Sequence, residues 1–148
     1  MEIETQGVCV PLETVMAFDF GLKRIGVAFG QSVTGTASPV GTFIAKDGIP
    51  EWNDILKCIA TWRPQVLVVG IPLLMDGSEQ HITHCARKFA NRLKEQSKLP
   101  VFPVDERLTT KAARQELSER NDGKIYNHQK VDALAACLIA ETWLRREL

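Results

Sequence analysis

Up to about residue 50 the apolar residues of this chain come in short runs, and beyond it segments with apolar residues every three or four positions alternate with further short runs. The first spacing suits strands and the second suits helices, so the order of elements can be read before any motif is considered. Met16–Phe20 and Ile25–Gly30 flank Gly-Leu-Lys-Arg and read as a hairpin with a glycine-assisted turn. A third run, Val40–Ala45, completes an antiparallel meander. From Glu51 to Arg63, Trp52, Ile55, Leu56, Ile59 and Ala60 keep helical spacing, and Pro64 closes the segment. Gln65–Gly70 then reads as a fully buried strand.

Ile82, Cys85, Ala86, Phe89, Ala90 and Leu93 predict a second helix, with Asp76 and Glu79 as a capping pair before it. Val101–Glu106 is a last strand, and Thr109 or Thr110 starts a short helix to about Leu117. Residues 118–127 are polar, contain glycine and read as a mobile loop. Gln129–Leu148 is the final helix, with Val131, Leu134, Ala135, Leu138 and Ile139 on its inner face. This order specifies an α/β domain: a mixed five-stranded sheet, antiparallel at first and parallel later, with helices on both faces.

A chain of 148 residues accommodates one such domain, here residues 15–148, with 1–14 as a loosely ordered extension. That extension lacks the basic and apolar regions of a signal peptide, and no apolar run approaches the roughly 20 residues of a membrane span. A cytoplasmic location without membrane contact is the expectation, and Cys9, Cys58, Cys85 and Cys137 are expected to be reduced thiols. With 18 basic and 18 acidic residues there is no global field to attract a polyanion, so contact with nucleic acid must come from a local patch.

Four carboxylates stand out by position. Asp19 interrupts a strand that is otherwise buried, Asp105 and Glu106 end the last strand, and Asp132 falls near the start of the final helix. An unpaired charge in the first place would cost several kcal/mol, roughly, so a basic neighbour or a metal ion is required. Asp105 and Glu106 point to opposite faces of an ideal strand, which assigns one of them a structural role. Asp132, placed in the first helical turn and flanked by the small residues Ala133, Ala135 and Ala136, can approach Asp19. Acids from separate elements make an oxygen site suited to Mg²⁺ or Mn²⁺ and to phosphodiester hydrolysis. The plainer alternative pairs Asp19 with Lys23 or Arg24 and makes Asp132 a helix-start acid.

Around these acids lie Lys23, Arg24, Arg107, Lys111, Arg114 and Lys130, candidates to hold a polyanion by its phosphates. The loop of residues 71–79 leads into a helix start, where backbone N–H groups near Gly77 and Ser78 could receive a phosphate, although capping explains Asp76 and Ser78 equally well. Asp19-Phe-Gly also resembles the phosphate-binding turn of actin-like ATPases and sugar kinases, but those need two lobes and this chain has room for scarcely one. His128 could shuttle a proton or cap the last helix, while His81 and His84 are ordinary helix residues. No cysteine or histidine spacing supports zinc.

Four blocks, Asp19–Ala28, Val68–Gln80, Val104–Thr110 and Lys130–Ile139, occur together in an order that resembles the YqgF family, also called pre-16S rRNA nucleases or Holliday-junction-resolvase-like proteins. The resemblance implies an RNase H-like fold and an acid set of Asp19, Glu106 and Asp132 that binds Mg²⁺ or Mn²⁺. It thereby selects Glu106 over Asp105. It further implies a metal-dependent nuclease for which RNA is favoured and structured DNA is possible, with 5′-end maturation of 16S rRNA as its task and a pre-ribosomal particle as a candidate partner. The better-known junction resolvases on this fold carry a further acid on the last helix, where this chain has Ala135 and Ala136. Junction cleavage and a non-catalytic ribosome-binding module are the rival readings, and the chain is expected to be a monomer or a homodimer.

Overall fold

In the computed structural model, which describes the backbone of residues 2–5, 8–108 and 128–146 and the side chains of 12–107 and 132–146, two ladders of strands are present. The smaller pairs β1 (Glu2–Thr5) with β2 (Val8–Pro11), antiparallel. The main sheet contains β3 (Thr14–Asp19), β4 (Arg24–Gln31), β5 (Thr36–Lys46), β6 (Ile49–Pro50), β7 (Val66–Ile71) and β8 (Val101–Asp105), in the order β6-β5-β4-β3-β7-β8. The β3-β4-β5 meander is antiparallel, and β7 and β8 join β3 in parallel. The mixed architecture expected from the sequence is therefore present, with six strands instead of five. The sixth arises because Asp47 and Gly48 both take positive φ, 53° and 81°, which folds β5 back on the two residues of β6.

The third strand is also longer than Val40–Ala45. Its proline is accommodated by a bulge: Val27 pairs with Gly41 but Ala28 with Pro39, so Val40 is the extra residue.

Three helices are described: α1 (Trp52–Trp62), α2 (His81–Ser97) and α3 (His128–Leu144). The first ends where Arg63 turns left-handed and donates its N–H to Ile59, just before Pro64. A reciprocal box between Gln80 and Thr83 starts α2. Asp76 and Glu79 are thus not its caps; Asp76 accepts from Ser78, and Glu79 pairs with Arg87. The expected short helix after Thr109 or Thr110 and the loop of 118–127 lie outside the described residues.

Strand alternation sends Met16, Phe18 and Phe20 toward α1 and α2, where they meet Ile55, Ile59 and Phe89. Phe89 is the hub, with ring centroids 5.8 Å from Phe18, 5.4 Å from Phe20 and 5.6 Å from Trp52. Burying a side chain of this kind is worth roughly 1.5–3 kcal/mol. Val15, Ala17, Val68 and Val104 face the other way and pack on Ile139 and Ala140 of α3. Three layers result, and the acids stand at one end of the sheet on the α3 side.

Candidate active site

Asp19 is the last residue of β3 and lies on the face of Val15 and Ala17, so strand alternation alone turns it toward α3. Its cross-strand partner is Gly26 of β4. On the other side, Phe18 pairs with Val69, which leaves Gly70 beside Asp19 in the register of β7. A glycine therefore flanks the aspartate on either side, and each fills a purpose.

A Cβ on Gly70 would lie 2.6 Å from Oε1 of Glu106 and 2.5 Å from Ile139, so the missing side chain is the space in which the Glu106 carboxylate sits. A Cβ on Gly26 would run into the backbone of Asp132 and Ala133, so α3 enters the fold pressed against that strand. Asp19, Glu106 and Asp132, which come from β3, a short 3-10 turn (Glu106–Leu108) and α3, thus reach one edge over two glycines. Strand-interior glycines with no turn to explain them are the signal in the sequence that marks this edge, and apolar spacing alone passes over it.

Asp132 differs from expectation in two respects. The helix starts at His128, so Asp132 lies beyond its first turn, and the dipole supports it less than a first-turn acid. Its partner is Arg24, whose Nε donates to Oδ2 at 2.9 Å. Arg24 thereby bridges from the start of β4 to α3. Lys23 beside it is exposed, and Lys130 belongs to the backbone of α3, its side chain lying outside the described residues, as do Lys111 and Arg114.

Asp105 and Glu106 have separate roles. While Glu106 occupies the space over Gly70, Asp105 receives Arg107 in a fork, Nη2 at 2.6 Å and Nε at 2.9 Å on Oδ2, with the Arg107 backbone N–H on Oδ1 at 2.9 Å. These bonds hold the Asp105 carboxyl below the usual carboxylate range against the opposing effect of burial, and they push the guanidinium up. Nη1 reaches the Met75 carbonyl at 3.4 Å and lies over Gly77, so Arg107 connects the end of β8 to the loop after β7.

That loop brings Gly77, Ser78 and Arg107 together, but its N–H groups are not open donors. Gly77 N–H goes to the Leu74 carbonyl at 2.8 Å and Ser78 N–H to Asp76 Oδ1 at 2.8 Å. The Ser78 hydroxyl adds a 2.6 Å bond to the same oxygen, and together these hydrogen bonds hold the Asp76 carboxyl low. Both N–H groups are thus engaged within the loop, and the cation beside them is Arg107, held by Asp105.

Three carboxylates are oxygen donors of the type Mg²⁺ and Mn²⁺ take, and the segments that carry them lie at the same end of the sheet. Among the described residues, however, no three acidic, histidine or cysteine side chains are gathered closely enough to hold an ion, and Asp132 is engaged by Arg24. The donor set fits a divalent ion in chemistry, and a change of partner at Asp132 would be part of binding one.

A three-layer domain of this topology is RNase H-like. A chain described as RuvC of T. thermophilus in complex with Holliday junction substrate superposes with a TM-score of 0.59 at 15% identity, covering 90% of this chain and 95% of that one. Residues 13–146 match the family model described as RuvX, Holliday junction resolvase, and the chain belongs to that family. Relatives named "Putative pre-16S rRNA nuclease" include one from Histophilus somni, 55% identical over 88% of this chain and 92% of its own length, and one from Glaesserella parasuis, 53% identical over 91% and 98%. The chain is a nuclease, and its substrate is a nucleic acid. Among the described residues no helix is long and apolar enough to cross a membrane.

Proposed function

We propose that the chain is a Mg²⁺- or Mn²⁺-dependent nuclease that matures the 5′ end of 16S rRNA in the bacterial cytoplasm. The observation that carries the reading is the placement of Asp19 between two glycines, one making room for Glu106 and the other for the start of α3 with Asp132. The space over Gly70 is shared by Ile139 and the Glu106 carboxylate, and the space over Gly26 admits the backbone of the helix that carries Asp132. The names of the relatives support rRNA as the substrate.

In this reading Asp19, Glu106 and Asp132 hold the ion, which when bound would activate water and stabilise charge on the leaving oxygen. Lys23, Arg24, Arg107 and Lys130 hold phosphates on either side of the scissile bond. Arg24 has a double duty: paired with Asp132 before metal binds, it is released toward substrate afterwards. Arg107 is already preorganised by Asp105, which limits the rotamer entropy lost when it meets a phosphate.

The test is cleavage of matched precursor-RNA and four-way-junction DNA by highly purified protein, with and without chelator, alongside its oligomeric state. Divalent-dependent cutting of the RNA by a monomer is the expected result. Symmetric junction cutting by a dimer would transfer the assignment to junction resolution, and no cutting of either substrate would leave a binding module.

A further inference from the structure

We propose that the outer corner of the main sheet, formed by Ile44, Lys46 and Ile49, holds the stretch of RNA that leads away from the scissile phosphate on one side. Lys46 takes a phosphate there, and the two isoleucines cover ribose and base faces. This rests on the reading of the acidic edge as the catalytic centre and extends it to the substrate beyond the cut.

Strand register carries the face of Asp19 outward row by row. Asp19 pairs with Gly26 and Gly26 with Thr42; two residues along, Arg24 pairs with Ile44, and beyond it Lys46 pairs with Ile49. Directly paired residues share a face, as do residues two apart in one strand, so Ile44, Lys46 and Ile49 continue the face of Asp19. Two strand spacings across and two residues along separate Asp19 from Ile44, about 12 Å between their Cα positions. Arg24, the cross-strand neighbour of Ile44, donates to Asp132, so the corner borders the acidic edge directly. It is also fixed in place: Ala45 and Gly48 donate their N–H groups to the carbonyls of Lys23 and Leu22, both at 2.8 Å, in the turn that follows Asp19.

This part of the face is left open by α3. Ile44 is 75% exposed and Ile49 48%, on a face whose inner residues Val15 and Ala17 are buried under the helix. Exposed apolar side chains gathered in one place mark a contact surface. What they contact follows from the charge among them. Lys46, exposed, stands between the two isoleucines and makes no ion pair among the described residues, and Lys23 is exposed in the adjoining turn. A protein covering the patch would bury Lys46, and lysine is depleted from the centre of such interfaces. A phosphate chain neutralises it instead. The acids nearest in sequence do not belong to this face: Asp47 lies in the turn between β5 and β6, and Glu51 opens α1 in the opposite layer. A polymer cut at the acidic edge continues past it, and this corner is the surface next in line.

The test pairs substitutions in the corner with shortening of precursor RNA from either side of the cut. Lys46→Glu, and separately Ile44→Ser with Ile49→Ser, should each lower kcat/KM on the long RNA by about 5-fold or more, through KM. On RNA shortened up to the cut on one side the loss should vanish, because the nucleotides that reach the corner are gone. Val33→Ser, at a comparably exposed apolar residue beyond the other end of β4, should change neither. In anisotropy measurements on the same RNAs without divalent ions, Lys46→Glu should also reduce the salt slope by about 0.7, one phosphate of a single strand. Wild-type kcat/KM in both variants, a loss of equal size on every length, or a wild type that binds no RNA overturns the proposal. An altered oligomeric state in either variant overturns it in favour of a second copy of the chain. The two readings fail separately. If wild type cuts RNA and the variants bind and cut every length as it does, the corner fails alone; if no RNA is cut but the variants lose affinity for the long RNA only, the catalytic reading fails and the contact at the corner stands.

Discussion

Arg24 Nε donates to Asp132 Oδ2 at 2.9 Å, joining residues 108 positions apart and tying the first strand of the hairpin's return to the helix that carries the third acid. The pair is partly exposed, 38% and 26% for the two side chains, so its contribution to stability is expected to be about 1 kcal/mol or less. Its effect on the site should be larger in kind. Arg24→Gln removes a cation that competes with a metal for Asp132, so the Mg²⁺ concentration for half-maximal activity should fall by roughly 2- to 5-fold. KM for RNA should rise in the same titration, since the substitution also takes away a cation that holds a phosphate.

Gly26→Ala places a methyl group against the backbone of Asp132 and Ala133, where no side-chain rotation can relieve it. Denaturant unfolding should show a loss of about 1–3 kcal/mol, and activity should fall further than stability explains because α3 is moved with its acid. Gly41→Ala is the matched control: a Cβ there has no neighbour within 4 Å, so the change should stay within about 0.5 kcal/mol and leave cleavage intact.

The fork from Arg107 to Asp105 predicts a pH dependence with a definite sign. Because the folded Asp105 titrates below its ordinary range, the stability it contributes is fully present above the unfolded value of about 3.9 and is lost as pH falls through the lower folded one. The gap in Tm between wild type and Asp105→Asn should therefore be constant above about pH 5 and close below about pH 4. Thermal melts across that range check it, and a gap that widens toward acid would contradict the assignment.

Much of this arrangement is legible in the residues because apolar period and burial coincide in them. Val15–Phe18 and Leu67–Val69 are buried on both faces and read as continuous runs, while Phe89 and Leu93 mark the inner stripe of α2. The sixth strand escapes such a reading although Asp47-Gly48 is a strong turn dipeptide, because a two-residue strand has no period of its own. The start of α2 is misplaced by it because Asp76 and Ser78 cap a helix or close a loop with equal ease, and only the fold shows them spent on the loop. The separation of Asp105 from Glu106 follows from strand alternation, but which acid faces α3 depends on where β8 ends. The spaces above Gly26 and Gly70 depend on elements distant in sequence, so spacing alone could not reveal them.

Single-turnover cleavage of precursor RNA at saturating Mg²⁺ by Asp19→Asn, measured beside wild type, tests the convergence of the three acids most directly. The substitution keeps the shape of the side chain and removes its charge, so the fold is preserved while the oxygen set is weakened. A rate reduced by about 100-fold or more, with an unchanged melting profile, is the expected result. Equal rates in the two proteins would remove Asp19 from the reaction, and the reading of this edge as a metal-dependent nuclease centre with it.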